Sequence, residues 1–266
     1  MLPLEFDDQG QGEAVVLLPP FPFERRIWST TAAALAAAGF RALSVDYPGF
    51  GASPATSGDL SIAAIADGTA ALLDELGLAR ASLVGLSMGG YVAFAFAATF
   101  PSRLRALVLA DTRAAADPPA ARAGRAAALE TIATRGVDAY LAQSLPRLLS
   151  PTASPAVLAA MRTFAIEKPD ALTAGIAALR DRPDRADDAR RIACPTLVLA
   201  GSAEQVIPAA EMRTMAETIP GARFVELPSA GHLTNLEAPE MFNRHVVEFL
   251  RGLPAPASIL PSRGTA

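Results

Sequence analysis

Short apolar runs alternate with longer segments in which apolar residues recur at helical spacing. Short runs that are almost wholly apolar are typical of strands covered on both faces of a sheet. They predict strands at 14–18, 41–45, 81–86, 104–110, 196–200 and 223–227. The helical patterns predict helices at 27–38, 60–76, 88–99, 209–219 and 239–250. Strands that alternate with such helices indicate an α/β fold with a mainly parallel sheet flanked by helices.

The alternation stops between 112 and 191, where the patterns are helical and no strand is predicted. Glycine or proline separates most of these helical segments, which lie at 120–135, 137–149, 155–167 and 172–179. Because the interruption falls between two strands of one sheet, it predicts an inserted helical cap over the carboxyl ends of the strands. The predicted division is a core of 1–112 and 192–252, a helical cap of 113–191 and a flexible C-terminal tail of 253–266.

The composition narrows the class of protein. Of the 266 residues 51% are apolar, and the formal net charge is −4 without a basic block, so nucleic acid is not an expected partner. The single cysteine, Cys194, cannot form an internal disulfide, and residues 1–12 contain no signal-peptide core. No uninterrupted apolar stretch reaches membrane-spanning length. We therefore expect a cytoplasmic protein without a membrane partner.

One motif joins a predicted strand to a predicted helix. The segment after strand 81–86 places Ser87 between Gly85 and Gly89, which is the Gly-x-Ser-x-Gly spacing of a nucleophile elbow. A serine at such a sharp turn is held in a strained backbone conformation that exposes its hydroxyl group. Residues two before and two after crowd the turn, and glycine fits there because it lacks a Cβ atom. Ser87 is therefore the predicted nucleophile.

A serine hydroxyl is a poor nucleophile at neutral pH unless a base removes its proton, and histidine is the side chain best suited to do so. The chain contains two histidines. His232 lies in the loop directly after the last predicted strand, where such a base is needed. His245 lies within the terminal helix and is interpreted as a solvated or packing residue. His232 is therefore the predicted base.

Two carboxylates are candidates for the acid that orients His232. In proteins with this elbow the acid follows the nucleophile and precedes the histidine in the chain. Glu204 is the only carboxylate in the loop that follows strand 196–200. Asp111 ends the preceding strand and is the alternative acid. Glu204 is therefore the predicted acid, with Asp111 kept open as the alternative.

Together these residues resemble the α/β-hydrolase superfamily, and more closely its small capped esterases and enol-lactonases. The resemblance spans about 14–250, and its most specific segments are DYPGFGAS at 46–53, GLSMGG at 85–90 and AGHLTNLEAP at 230–239. It implies an α/β-hydrolase fold with an inserted helical cap. It also implies a catalytic triad of Ser87, His232 and an acid.

Two features differ from the pattern usual in that superfamily. Pro19 and Pro20 occupy the places of the His-Gly pair that usually follows the first long central strand, and Glu204 stands where aspartate is usual. The resemblance implies that the next N–H group, that of Phe21, forms an oxyanion hole with the N–H group of Met88.

The expected reaction is hydrolysis of a small, largely apolar carboxylic ester, lactone or thioester through an acyl-enzyme. No metal or organic cofactor is expected, because the chain lacks a Cys/His cluster or phosphate loop of suitable spacing. Carbon–carbon bond hydrolysis, perhydrolysis, a lyase reaction, and weakly catalytic ligand binding or sensing on the same scaffold are the alternatives. The candidate substrate contacts are Phe23, Trp28, Tyr140, Leu145, Phe164, Val206, Ile207 and Leu233.

Overall fold

The computed structural model describes residues 4–55 and 60–254. Among these residues a sheet of seven strands has the order β1-β3-β2-β4-β5-β6-β7. β1 is antiparallel to β3, and all other neighbouring strands are parallel. The strands are β1 (Phe6–Gly10), β2 (Glu13–Leu18), β3 (Phe40–Val45), β4 (Ala81–Leu86), β5 (Leu104–Ala110), β6 (Thr196–Gly201) and β7 (Arg223–Leu227).

Helices connect the strands and cover the sheet. Every residue of β4 and β6 is buried, as expected for strands with both faces covered. The α-helices of the described residues are α1 (Ser29–Ala37), α2 (Ile62–Glu75), α3 (Met88–Thr99), α4 (Pro119–Ser144), α5 (Pro155–Arg162), α6 (Pro169–Asp181), α7 (Ala186–Ala189), α8 (Ala209–Thr218), α9 (Thr234–Glu237) and α10 (Pro239–Arg251).

The expected α/β fold is confirmed, and the six predicted strands are each correct to within one residue at either end. The five helices predicted outside the segment 113–191 are correct to within two residues. Strand β1 was not predicted, because its sequence is polar and most of its residues are exposed. It extends the edge of the sheet by pairing with β3, with Phe6 opposite Val45. The short helix α9 was also not predicted.

The segment between β5 and β6 is built from α4, α5, α6 and α7. Gly136 interrupts α4 with a φ of 83°, which is where the sequence predicted one helix to end and another to begin. A 3₁₀ helix at Leu145–Leu148 follows α4, so the prediction of one regular helix over 137–149 was wrong at its end. Helix α7 was not predicted. The division of the chain into a core and a cap stays a prediction.

Residues 163–167 were predicted to continue a helix, and this prediction was wrong. Helix α5 ends at Arg162, and the backbone that follows pairs with residues 22–24. The Glu24 N–H group donates to the Phe164 carbonyl over 3.1 Å, and the Ile166 N–H group donates to the Pro22 carbonyl over 2.8 Å. Hydrogen bonds to another part of the chain therefore replace those of a further helical turn.

No helix among the described residues combines the length and the apolar character that crossing a membrane requires. Beyond residues 253 and 254, the predicted flexible tail lies outside the described residues.

Candidate active site

Ser87 lies at a sharp turn between β4 and α3. Its φ is 52°, in the left-handed region that non-glycine residues rarely adopt. A Cβ atom at Gly85 would overlap the Gly89 carbonyl group, and one at Gly89 would overlap the Leu18 carbonyl group. Only glycine fits at either position, which confirms the steric interpretation of the elbow motif. Ser87 itself is partly exposed, whereas its neighbours on both sides are buried.

The backbone of the elbow is fixed by the end of β5. The Ser87 N–H group donates to the Ala110 carbonyl over 2.9 Å. The Thr112 hydroxyl group donates to the Ser87 carbonyl over 2.8 Å. A Cβ atom at Gly90 would overlap the Thr112 side chain, so the start of α3 lies directly against this anchor.

His232 contacts both Ser87 and Glu204. Its Nε2 atom lies 2.8 Å from Ser87 Oγ, and its Nδ1 atom is hydrogen-bonded to Glu204 Oε2. The His232 side chain is 2% exposed and the Glu204 side chain is 0% exposed. The three side chains therefore form an unbroken chain of hydrogen bonds that leads from a buried carboxylate to a partly exposed hydroxyl group.

Backbone hydrogen bonds hold the loop of Glu204 against the loop of His232. The Ala203 N–H group donates to the Ala230 carbonyl over 2.8 Å, and the Ser229 N–H group donates to Ser202 Oγ over 2.8 Å. Glu204 Oε1 accepts a further hydrogen bond from the Val206 N–H group. The longer glutamate side chain is thus held at both oxygens while it contacts the imidazole ring.

Asp111, the alternative acid, lies near the imidazole but is engaged elsewhere. Its Oδ1 atom accepts from the Gly201 N–H group over 2.9 Å, and its Oδ2 atom lies 2.5 Å from Thr234 Oγ1. Burial and the nearby charge of Glu204 raise the pKa of Asp111 to about 8. The carboxylate in contact with His232 Nδ1 is therefore that of Glu204.

Several opposing influences set the pKa of His232. Burial lowers it, because the imidazolium form loses its hydration. The charge and hydrogen bond of Glu204 raise it, with a further increase from the charge of Asp111, while the positive charge of Arg125 lowers it. The net result is a pKa above the ordinary histidine value.

The partly exposed Arg125 contacts a buried ion pair beside the nucleophile helix. Its Nε atom lies 3.3 Å from an oxygen of Asp117, whose other oxygen lies 2.8 Å from the guanidinium group of Arg182. That second guanidinium group stacks on the Tyr91 ring, 3.9 Å from its centroid. Tyr91 lies one helical turn after Ser87 on α3, so the ion pair lies close to the site.

Replacing Arg125 with glutamine is expected to raise the pKa of His232, because it removes a positive charge that disfavours the imidazolium form. An NMR titration of the imidazole resonances measures this change, with His245→Asn used to assign the two histidines. The exposed Arg147 lies in the same segment of the chain, and Arg147→Gln is the matched control. An unchanged or lower pKa in Arg125→Gln would contradict the prediction.

The expected oxyanion donors, Phe21 and Met88, follow the ends of two adjacent strands. Leu18 of β2 pairs with Gly85 of β4. Phe21 lies three residues after Leu18, and Met88 lies three residues after Gly85. The Tyr47 hydroxyl group donates to the Pro19 carbonyl over 2.8 Å, which fixes the start of the Phe21 loop. Both N–H groups therefore lie just beyond the carboxyl ends of adjacent parallel strands. Their role as oxyanion donors stays a prediction.

The other candidate contacts differ in exposure. Trp28 is fully buried and packs against Phe242 of α10, with ring centroids 5.9 Å apart. Val206 is 39% exposed. Phe164 is partly buried. The remaining candidates are buried, and they are Phe23, Tyr140, Leu145, Ile207 and Leu233. Substrate contact by any of them stays a prediction.

Glu237, which was not among the predicted site residues, holds the histidine loop in place. Its two oxygens accept from the Gly231 and Ser150 N–H groups, each over 2.9 Å. The Gln205 side chain donates to the neighbouring Leu149 carbonyl over 2.8 Å. The histidine and acid loops are thus both hydrogen-bonded to residues 149–150. No sequence pattern points to the contacts with residues 149–150, because these residues lie far along the chain from both Glu237 and Gln205.

The mainly parallel sheet, the strained serine and its hydrogen-bonded histidine define the class of α/β hydrolases. Residues 13–239 match the family model described as the alpha/beta hydrolase fold, so the chain belongs to the α/β hydrolase family.

Similar proteins include esterases and an enol-lactonase. A thermophilic esterase from Thermogutta terrifontis is 38% identical, with a TM-score of 0.88 and 93% of each chain covered. An enol-lactonase from Burkholderia xenovorans is 31% identical, with a TM-score of 0.85 over 93% of this chain and 96% of the other. A pimeloyl-acyl-carrier-protein methyl ester esterase from Chromobacterium violaceum is 32% identical over 251 residues, which are 91% of this chain and 95% of the relative.

Proposed function

We propose that the chain is a serine esterase that hydrolyses small, largely apolar carboxylic esters, including lactones and thioesters, through an acyl-enzyme. The observation that carries this proposal is the unbroken hydrogen-bond chain from Glu204 through His232 to Ser87. The esterases and the enol-lactonase among the relatives support ester and lactone chemistry.

In the proposed first step, Ser87 Oγ attacks the substrate carbonyl carbon while His232 Nε2 accepts the hydroxyl proton. The resulting imidazolium ion gives this proton to the departing alkoxide, and the acyl group remains on Ser87. Glu204 keeps the Nδ1 proton directed toward itself and stabilises the imidazolium ion. Water then attacks the acyl-enzyme with His232 as base, which releases the acid and regenerates the serine.

The developing oxyanion needs hydrogen-bond donors that are in place before the reaction starts. In this proposal they are the N–H groups of Phe21 and Met88. Met88 is the first residue of α3, where N–H groups have no intrahelical partner and the helix dipole favours negative charge. The paired strands β2 and β4 support a convergence of the two donors.

The proposal is tested with a fluorophosphonate probe together with a series of p-nitrophenyl esters of increasing acyl length. We expect the probe to label Ser87, as identified by peptide mass spectrometry, and the wild type to hydrolyse short esters. Failure of both assays would contradict the proposal and favour the ligand-binding alternative. Labelling without turnover of any ester, thioester or lactone would favour carbon–carbon bond hydrolysis, perhydrolysis or a lyase reaction.

A further inference from the structure

Asp111 lies at the junction of the loops that carry the proposed acid and base. It directly follows β5, its side chain is completely buried, and its φ is 45°. One carboxyl oxygen accepts from the Gly201 N–H group over 2.9 Å, three residues before Glu204. The other lies 2.5 Å from Thr234 Oγ1, two residues after His232.

The next residue extends the same junction to the nucleophile. The Thr112 hydroxyl group donates to the Ser87 carbonyl over 2.8 Å, and the Asp111 N–H group donates to the Leu199 carbonyl of β6 over 3.0 Å. Two consecutive residues therefore contact the nucleophile turn, the end of β6 and the histidine loop. A buried polar group with such long-range hydrogen bonds holds its partners in register.

We propose that Asp111 is a positioning residue that holds Glu204 and His232 in hydrogen-bonding register, and that it acts as a neutral carboxylic acid. The functional part of this inference rests on the proposed esterase activity, whereas the register itself is a property of the fold.

The burial of Asp111 and the carboxylate near it favour a neutral acid. One Asp111 oxygen accepts from the Gly201 N–H group, and the other accepts from the Thr234 hydroxyl group. Both hydrogen bonds lower the pKa of Asp111, but burial and the charge of Glu204 raise it by more. Glu204 already supplies one fully buried carboxylate to the imidazole of His232. A second buried carboxylate beside it would add repulsion and a large desolvation cost. The pKa of Asp111 is raised to about 8, chiefly by burial and then by the charge of Glu204, which keeps it neutral at pH 7.

The charged groups around this junction come from several elements. Glu204 on the acid loop raises the pKa of Asp111, whereas His232 on the histidine loop lowers it when charged. The positive charge of Arg125 on α4 lowers the pKa of the same His232 imidazole. A positioning role thus predicts different effects for two variants. Asparagine is neutral and its amide can hydrogen-bond to both Gly201 and Thr234, whereas alanine can form neither hydrogen bond.

The test compares Asp111→Asn with Asp111→Ala. We expect Asp111→Asn to keep kcat within about threefold of the wild type at pH 7, because it retains one acceptor and one donor. We expect Asp111→Ala to lower kcat by about 10- to 100-fold with little change in KM, as is usual when a supporting hydrogen bond to the catalytic groups is lost. The low-field NMR signal of the His232 Nδ1 proton reports the register independently of activity. It should persist in Asp111→Asn and be lost or broadened in Asp111→Ala.

The variants test the positioning role and the neutral acid separately. A folded Asp111→Ala variant with wild-type kcat and an intact Nδ1 proton signal would overturn the positioning role. An Asp111→Asn variant as impaired as Asp111→Ala would overturn the neutral acid. If Asp111→Ala does not fold, Thr234→Val removes one of the two hydrogen bonds, and an unchanged Nδ1 signal and kcat in that variant would overturn the inference.

Failure of the proposed esterase activity can be distinguished from failure of the positioning role of Asp111. In that case the wild type turns over no ester and the fluorophosphonate probe does not label Ser87, while the Nδ1 signal of the variants still tests the register. Wild-type turnover combined with an indifferent Asp111→Ala variant would leave the esterase proposal standing and reject the positioning role.

Discussion

Replacing Ser87 with alanine is expected to lower kcat for p-nitrophenyl ester hydrolysis by about 10⁴-fold or more. The change removes the only atom that forms the acyl bond in the proposed mechanism and leaves the Cβ atom in place. The remaining rate would come from substrate binding and the oxyanion donors. Steady-state kinetics with the best ester of the series measures the effect, and the fluorophosphonate probe should no longer label the protein.

The exposed Ser102 provides a matched control for this variant. Ser102→Ala removes the same atoms at a distance from the elbow and is expected to keep wild-type kcat. Both variants should have similar melting temperatures, since the backbone of the turn is fixed by Ala110 and Thr112 rather than by the Ser87 hydroxyl group. A Ser87→Ala variant with a kcat within tenfold of the wild type would reject this serine as the nucleophile.

Replacing Glu204 with glutamine is expected to lower kcat by about 10⁴-fold, the size known for aspartate-to-asparagine changes in serine triads. The amide is similar in size, but it carries no charge to stabilise the imidazolium ion and can hold the wrong tautomer of His232. The charge and hydrogen bond of Glu204 also raise the pKa of His232. Removing them lowers this pKa, so the acidic limb of the kcat/KM profile should move to lower pH.

The same experiment distinguishes the two acids that the sequence left open. If Glu204 orients the imidazole, Glu204→Gln is severely impaired and Asp111→Asn is not. The opposite ranking would make Asp111 the acid and would contradict both the contact at Nδ1 and the positioning role. The exposed Glu217 of α8 is a suitable control, and Glu217→Gln should behave like the wild type.

The sequence predicts the elements around Ser87 well because local steric demands and burial both act there. Strand β4 is almost wholly apolar because it is buried on both faces, and Gly85 and Gly89 are required by close backbone contacts. His232 was predictable from the chemistry that a serine nucleophile needs. These features follow from one or a few neighbouring residues and therefore leave a pattern in the chain.

Features that depend on distant contacts left no such pattern. Strand β1 is polar and is held by pairing with β3, which no local periodicity reveals. Residues 163–167 looked helical but pair with residues 22–24 instead. Nothing in Phe21 and Pro22 indicates that the peptide bond between them is cis. The choice between Glu204 and Asp111 likewise depended on the relative positions of three loops.

The contacts of residues 149–150 and 164–166 have a consequence for how this enzyme can change. Glu237 and Gln205 connect the histidine and acid loops to residues 149–150, while residues 164–166 pair with residues 22–24, which directly follow Phe21. The segment between β5 and β6 therefore contacts the loops of the proposed acid, base and oxyanion donor. A helical segment transplanted from a relative would therefore have to bring its own hydrogen-bond partners for these loops.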